Sequence, residues 1–484
     1  MVWALIFHKS ASKRFRPFRH FHKLTAIDCR SMNTFKNCAL LRSLILVAAV
    51  CCAGVQAQTT LAATPPMGWN SWDSYGLSVT EPEFRANAGW LAQHLKQYGW
   101  NYAVVDEGWY LKNPDGKAGT FRFTMDGHGR YTPAVNRFSS AANDQGFRPL
   151  AGWVHQQGLK FGIHIIRGVP REAVNKNLPI AGSQYRAAEA ADKSDTCAWN
   201  SDNYGVKYTP AGQQYYDSIA DLYASWGVDF VKIDCISSPY LADEIHMFSE
   251  ALRKTGRPIV LSLSPGPAPL DKVDDLRKYA QLWRISGDVW DHWKQWPNQD
   301  WSQGLLGQFQ LTAKWAPYVE TGHWPDADML PLGYLGPRPG QGKARQTNFT
   351  PDEQRTLMTL WAIFRSPLIM GGNLTKSDSR TTSLLTNPEV IAVNQHSSNP
   401  RPVVNEAQKA IWRSKPDNGG AYIAIFNLSD AQQTIAYPLQ SIGLSGTSYK
   451  VRDLWERKDV GNQDQLKVTL APHASKLYRI SAAK

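Results

Sequence analysis

Beyond residue 57 this chain of 484 residues holds only two of its six cysteines, Cys197 and Cys235. No grouping of His and Cys has zinc spacing, no G-x-G-x-x-G follows a strand-like run, and no G-x-S-x-G elbow occurs. Structural zinc, dinucleotide and serine-nucleophile chemistry therefore lack support, and no metal or organic cofactor is implied. Long apolar runs are missing as well. The longest, inside "RSLILVAAVCCAGVQA" (42–57), covers about ten residues where a bilayer span needs about 20, so no membrane span is expected. Excess charge is scarce once the N-terminus is set apart. Residues 1–57 hold nine Lys or Arg and one Asp, a net +8, so only +4 of the formal +12 belongs to the rest, and nothing there calls for nucleic acid.

The same N-terminal stretch has a basic residue, a short apolar run and the small-residue end Val55-Gln56-Ala57, the pattern of a secretory signal peptide cleaved near Ala57. Met32 precedes it at a normal distance, so residues 1–31 read as an over-extended start. A lipoprotein anchor at Cys51 or Cys52 is the competing reading. Export to a periplasm or beyond is expected, and an exported chain with two remaining cysteines either pairs them or buries two free thiols.

From residue 64 to about 395, short β-rich runs alternate with helical patterns. The runs are "MGWNSW" (67–72), "NYAVVDEGW" (101–109), "KFGIHIIRG" (160–168), "DFVKIDC" (229–235), "PIVLSLS" (258–264), "LWRISGD" (282–288), "ETGHWPDADML" (320–330) and "SPLIMGG" (366–372). Eight such units predict an α/β fold, a (β/α)₈ barrel over 58–397, with a doubly wound sheet as the alternative. The barrel is favoured because polar and aromatic residues recur at the C-terminal ends of the runs: Trp72, Asp106 with Glu107, His164, Asp234, Asp288 and Asp328. After about residue 398 the runs become short and alternating, broken by Gly, Asn, Asp and Pro, which predicts a small antiparallel β-sandwich over 398–484. The stretch of about 40 residues after the second run is too long for an idle connection and is expected to help wall the site.

Four carboxylate stations on one face of a barrel, in a chain with 19 Trp, suit a carbohydrate. Indole faces stack on sugar rings, and carboxylates accept hydroxyl protons and flank a glycosidic bond. Taken singly, each of them also fits ordinary structure: a salt-bridged strand end for Asp234, a core side chain for His164 or for most of the Trp.

In order, "TPPMGWNSWDSYG", "VVDEGW", "GLKFGIHI", "WGVDFVKIDC", "WRISGD" and "WPDADML" resemble the motifs of glycoside hydrolase family 27, the α-galactosidases and α-N-acetylgalactosaminidases. The resemblance spans about 64–395 and extends to the β-sandwich tail. It implies a retaining exo-glycosidase with Asp234 as nucleophile and Asp288 as acid/base. It further implies sugar contacts from Trp72, Asp106, Lys232, Arg284 and Asp328, and a Cys197–Cys235 bridge. Three positions depart from the common pattern. His164 replaces a usual Tyr. "LSLSPGPAP", with Ser264, replaces a Glu-Trp stretch beside the sugar 2-hydroxyl, which keeps α-N-acetylgalactosaminidase activity open. Asp106-Glu107 replaces Asp-Asp, a change associated with β-L-arabinopyranosidase activity, because the added methylene enters the volume of the C6 hydroxymethyl that arabinopyranose lacks. The expected substrates are galactose- or arabinose-terminated oligo- or polysaccharides. A catalytically silent sugar-binding protein on the same scaffold is the non-enzyme alternative. Sequons at Asn348, Asn373 and Asn427 matter only in a glycosylating host, and the oligomeric state is not legible.

Overall fold

The computed structural model describes residues 60–117, 119–441 and 448–482. The signal-peptide reading and the cysteines at 29, 38, 51 and 52 lie outside them. Eight parallel strands follow the eight runs closely: β1 Met67–Asn70, β2 Tyr102–Val105, β3 Lys160–Ile166, β4 Phe230–Asp234, β5 Val260–Leu263, β6 Leu282–Arg284, β7 Trp324–Asp326 and β8 Leu368–Met370. Each pairs with its sequence neighbour from β1 to β7, and β8 returns to β1 through Met67↔Leu368. A parallel bridge, Leu330↔Met370, joins the end of β7 to β8 and completes the ring. The expected (β/α)₈ barrel is therefore the fold.

Alternation along the strands explains both cores. Because successive side chains point to opposite faces, Ala103, Val105, Ile163, Val231, Ile233, Leu261 and Trp283 face outward into the main core shared with the helices. Tyr102, Val104, Phe230, Val260, Leu282 and Trp324 face inward and plug the barrel. Moving up the same inward face, Val104 is followed by Asp106, Phe230 by Lys232 and Asp234, and Leu282 by Arg284. An apolar floor thus carries a charged upper layer.

The principal outer helices are α1 Glu81–His94, α2 Arg148–Gln156, α3 Pro210–Trp226, α4 Ala242–Lys254, α5 Val273–Tyr279, α6 Leu305–Trp315, α7 Pro351–Phe364 and α8 Pro388–Gln395. Their starts are written locally. Thr80 and Glu83 cap α1 reciprocally, Thr350 and Glu353 do the same for α7, and both helices carry Pro in the first turn. Almost every side chain of α7 is buried, because it lies between the barrel and a second, all-β layer.

That layer comprises β9 Ser397–Asn405, β10 Lys409–Pro416, β11 Ala421–Asn427, β12 Gln433–Pro438, β13 Tyr449–Asp453, β14 Lys458–Gln463, β15 Gln465–Leu470 and β16 Ser475–Ala482. They form a six-stranded antiparallel sheet in the order β9-β10-β11-β16-β13-β14, faced by the β12-β15 pair. Ile411, Ile423, Ile425, Ile435 and Leu466 fill the space between the two sheets. The other face of the large sheet meets α7: Phe364 packs edge-on to Trp412, and the Trp455 Nε1 donates to Thr359 Oγ1 at 2.9 Å. Two of the three sequons are structural. The Asn373 and Asn427 amides are buried and donate to protein oxygens, whereas Asn348 is exposed.

One element has no counterpart in the sequence reading. Between β3 and α3 a three-stranded antiparallel sheet forms from Val169–Pro170, Ala191–Thr196 and Asn203–Val206. Buried Arg167 clamps it in place, pairing with Asp195 at 2.7 Å and Glu244 at 2.6 Å while donating to the Cys235 carbonyl at 2.8 Å. The described residues of the long connection after β2 pack against one another. Tyr110 and Tyr131 stack with centroids 4.0 Å apart, and Phe121 reaches the site as that loop was expected to.

Candidate active site

The charged upper layer opens into a cavity of about 550 Å³ at the C-terminal ends of the strands. Trp72, Asp106, Glu107, His164, Lys232, Asp234, Arg284, Asp288 and Asp328 all line it. Ser264 does not. Its side chain is buried, its N–H donates to the Ile233 carbonyl, and its own carbonyl accepts from the Ile236 N–H. Pro265 and Gly266, the next two residues, face the cavity in its stead.

Asp234 ends β4 and is buried, with each oxygen engaged. His164 Nε2, on the neighbouring strand, lies 3.0 Å from Oδ2, and the Cys235 backbone N–H donates to Oδ1 at 2.7 Å. Burial alone would raise this carboxyl, but the His164 hydrogen bond and the charges of His164 and Lys232 carry it below its ordinary value. Burial in turn would lower His164, yet Asp106 and Asp234 hold it above its usual range, which favours the imidazolium. Lys232 acts on Asp234 through its charge, while its Nζ lies 3.3 Å from Asp106 Oδ2.

Asp106 is the anchored member of the acidic pair. Asn70 Nδ2 donates to it at 2.6 Å, and its backbone N–H donates to Ser71 Oγ. Burial opposes its ionisation, but Lys232 and His164 outweigh that and hold it at about 2. Glu107 has the opposite balance. Burial, reinforced by Asp234 and Asp106 against the pull of His164, pushes it up to about 7. Its Oε1 accepts from Asn200 Nδ2 at 2.8 Å.

On the far side Arg284 is the hub. Its Nη2 lies 2.8 Å from Asp328 Oδ2 and 3.3 Å from Asp288 Oδ1, while Asp328 Oδ2 also accepts the Val289 N–H at 2.7 Å. Asp288 is the open one, with 45% of its side chain exposed against 12% for Asp234, so it can meet a group arriving from solvent. Cys235 and Asp328 both adopt left-handed backbone, φ 62° and 86°. Non-glycine residues hold that conformation only where surrounding structure fixes it, as site residues often do. The Cys197–Cys235 disulfide is present, with Cα atoms 5.9 Å apart.

Several lining residues escaped the sequence reading, among them Asp73, Asn200, Trp199 and Trp301, as did Asn70, which supports Asp106 without lining the cavity. Asn200 and Trp199 sit two or three residues from Cys197 in "CAWN", so the expected bridge already placed them near the nucleophile strand. Asp73 follows Trp72 and carries a carboxyl whose oxygens meet no protein donor. Burial and then Asp328 push it well above its usual range.

Comparison with known proteins agrees with this geometry. The family model for alpha galactosidase A matches residues 200–396, and that for the alpha galactosidase C-terminal beta sandwich domain matches 406–480. Human alpha-galactosidase A is 30% identical over 359 residues, covering 69% of this chain and 67% of its own. The crystal structure of a family 27 β-L-arabinopyranosidase from Geobacillus stearothermophilus superposes with a TM-score of 0.84 at 46% identity, covering 89% of this chain and 99% of that one. That of a putative α-N-acetylgalactosaminidase from Bacillus halodurans gives 0.76 at 42%, covering 87% and 98%. Barrel and sandwich are thus shared with these solved structures, and this protein is a glycoside hydrolase belonging to glycoside hydrolase family 27.

Proposed function

We propose that the chain is a retaining exo-glycosidase acting on terminal α-D-galactopyranosides and on β-L-arabinopyranosides, which share their ring stereochemistry. The observation that carries this reading is the contrast between Asp234, buried and held ionised by His164, and Asp288, open to solvent beside Arg284. An ionised Asp234 attacks the anomeric carbon as Asp288 gives its proton to the leaving oxygen. The glycosidic C–O bond breaks and a glycosyl ester on Asp234 forms. Asp288, now a carboxylate, takes a proton from water, whose oxygen attacks the same carbon and releases Asp234. Two inversions return the starting configuration. The product anomer, followed by proton NMR before mutarotation, tests this, and an inverted first product would refute it.

Glu107 sets the balance between the two sugars. The Asn200 bond and burial support a fixed position for its carboxylate, which leaves the extra methylene in the space a C6 hydroxymethyl would occupy. The likeness to the arabinopyranosidase points the same way. A misplaced methylene or hydrogen bond is worth about 1–3 kcal/mol, roughly 10- to 200-fold. On the p-nitrophenyl glycosides, wild type should favour the β-L-arabinopyranoside in kcat/KM, and Glu107→Asp should swing toward the α-D-galactoside. A galactoside preference that the substitution leaves alone would make the Asp-Glu pair incidental. The wall at Pro265 and Gly266, with small residues, supports a second reading, α-N-acetylgalactosaminidase, which a chromogenic 2-acetamido substrate tests.

Export after cleavage near Ala57 belongs to the same proposal, and the disulfide suits an oxidising compartment. N-terminal sequencing of the protein from its own host, starting elsewhere than near residue 58, would count against it.

A further inference from the structure

We infer that the β-sandwich layer sets the position of the proton donor, and that His473 is the positioning residue through which it does so. The inference rests on Asp288 being the acid/base. Among the described residues the Asp288 carboxyl has one side-chain partner, Arg284 at 3.3 Å, and 45% of its side chain is exposed. A carboxyl held so loosely takes its place from its backbone. That backbone opens the loop 288–304. Asp288 and Val289 pair with Ser302 and Gln303 in a short parallel bridge, and the Asp288 N–H donates to the Trp301 carbonyl at 2.8 Å. The His292 and Trp293 carbonyls accept the Leu305 and Leu306 N–H groups at the start of α6. Gly304 lets the chain close there, since a Cβ would lie 2.5 Å from the Lys294 carbonyl carbon.

Trp293, five residues after Asp288, is where this loop meets the sandwich. Its buried indole stacks on the His473 imidazole with centroids 3.9 Å apart and planes 13° apart. His473 lies between β15 and β16 and is itself held from three directions. Its Nδ1 is 2.7 Å from Glu353 Oε1 in the first turn of α7, its Nε2 is 2.9 Å from Asp430 Oδ1, and its carbonyl accepts Thr356 Oγ1 at 2.6 Å. Its backbone is left-handed at φ 60°, a conformation that a non-glycine residue keeps where its neighbours fix it. Asp430, between β11 and β12, also receives Lys294 Nζ at 3.0 Å, so two successive loop residues are fastened to the sandwich. That second contact is exposed on both sides and adds little, which leaves the ring stack as the main tie. Removing it frees the base of the loop to shift. A general acid contributes about 10²- to 10⁴-fold, and a displacement of about 1 Å can forfeit about 100-fold of such a gain.

The test compares two leaving groups on one glycone, the glycosyl fluoride and the methyl glycoside. Fluoride departs with little help from an acid, whereas methoxide does not leave unprotonated. His473→Ala should lower kcat/KM on the methyl glycoside at least about 10-fold more than on the fluoride. His473→Phe, which keeps a ring against Trp293, should recover most of the difference. Should His473→Ala not fold, Trp293→Leu removes the stack while keeping the space filled, and the same selective loss is expected. Equal losses on both substrates, or no loss, would overturn the inference. Amide exchange over 288–303 should quicken in His473→Ala while β3 and β4 keep their wild-type rates, and unchanged exchange in the loop would overturn it as well. Asp288→Ala, measured alongside, separates the two claims. A selective loss there without one in His473→Ala strikes this inference alone. Equal losses on both substrates in Asp288→Ala would refute the proton-donor reading, and this inference with it.

Discussion

Glu107 and Asp106 are adjacent in sequence, carry the same chemistry, and end in opposite protonation regimes. Asp106 receives Asn70 and Lys232, whereas Glu107 receives one neutral amide and faces three other carboxylates, Asp234, Asp106 and Asp202. The consequence for stability has a definite sign. Glu107 is raised from 4.5 to about 7 in the folded chain, so between those values the native state binds more protons than the unfolded one. Its contribution to stability is therefore lost as pH rises through that window, by at most about 3 kcal/mol. Glu107→Gln should flatten this part of the profile, gaining on wild type as pH rises from about 4.5 to 8 in thermal melts. Parallel melting curves would show that Glu107 ionises normally. The pair was legible as an acidic station in the sequence, but its asymmetry was not. It depends on Asn200, 93 positions away, and on burial that no spacing reveals.

At the scale of elements, the strands were legible because each is short, apolar and bounded, and all eight appear where the runs place them. Strand ends carrying charge were legible for the same reason: Phe230, Lys232 and Asp234 share one face by alternation alone. What alternation cannot give is which neighbour answers each charge. The partner of Asp234 is His164 across the β3-β4 pair, not Lys232 on its own strand, and Pro265 and Gly266 line the cavity where Ser264 was expected. The small sheet between β3 and α3 was invisible for another reason. Its strands, such as "ADKSDT", are polar and half exposed, and they are held by Arg167 and the disulfide, not by an apolar face. Replacing Cys197 and Cys235 together with Ser should accordingly cost about 3–4 kcal/mol, from a loop closed over 38 residues. It should also free Asn200 and blunt discrimination between galactoside and arabinopyranoside. A stability loss with sugar preference intact would separate the two effects and show that the loop does not position Glu107.

At the scale of the whole molecule, α7 belongs to two layers at once. It closes the barrel on one side and receives the large antiparallel sheet on the other, through Phe364 against Trp412 and Thr359 beneath Trp455. Such a shared helix couples the melting of both layers. Trp412→Ala, which empties a fully buried site, should cost about 3–5 kcal/mol. It should lower one calorimetric transition for the entire chain, whereas two separated transitions would show that the sandwich melts alone.

The ring itself is uneven. Met67, Gly68 and Trp69 of β1 register along β8, but on its other side β8 meets the β7 segment only through the Leu330↔Met370 bridge, beyond the last regular residue of β7. Before that bridge no regular ladder joins the two strands among the described residues, and the Ala327 N–H donates instead to Ser366 Oγ at 3.0 Å. The wall is thus joined there at one rung, two residues beyond Asp328, which pairs with Arg284. If the barrel breathes, it does so as a clasp opening at that rung, and amide exchange at Leu330 and Gly371, whose N–H groups form the clasp, would outpace exchange along β3 and β4.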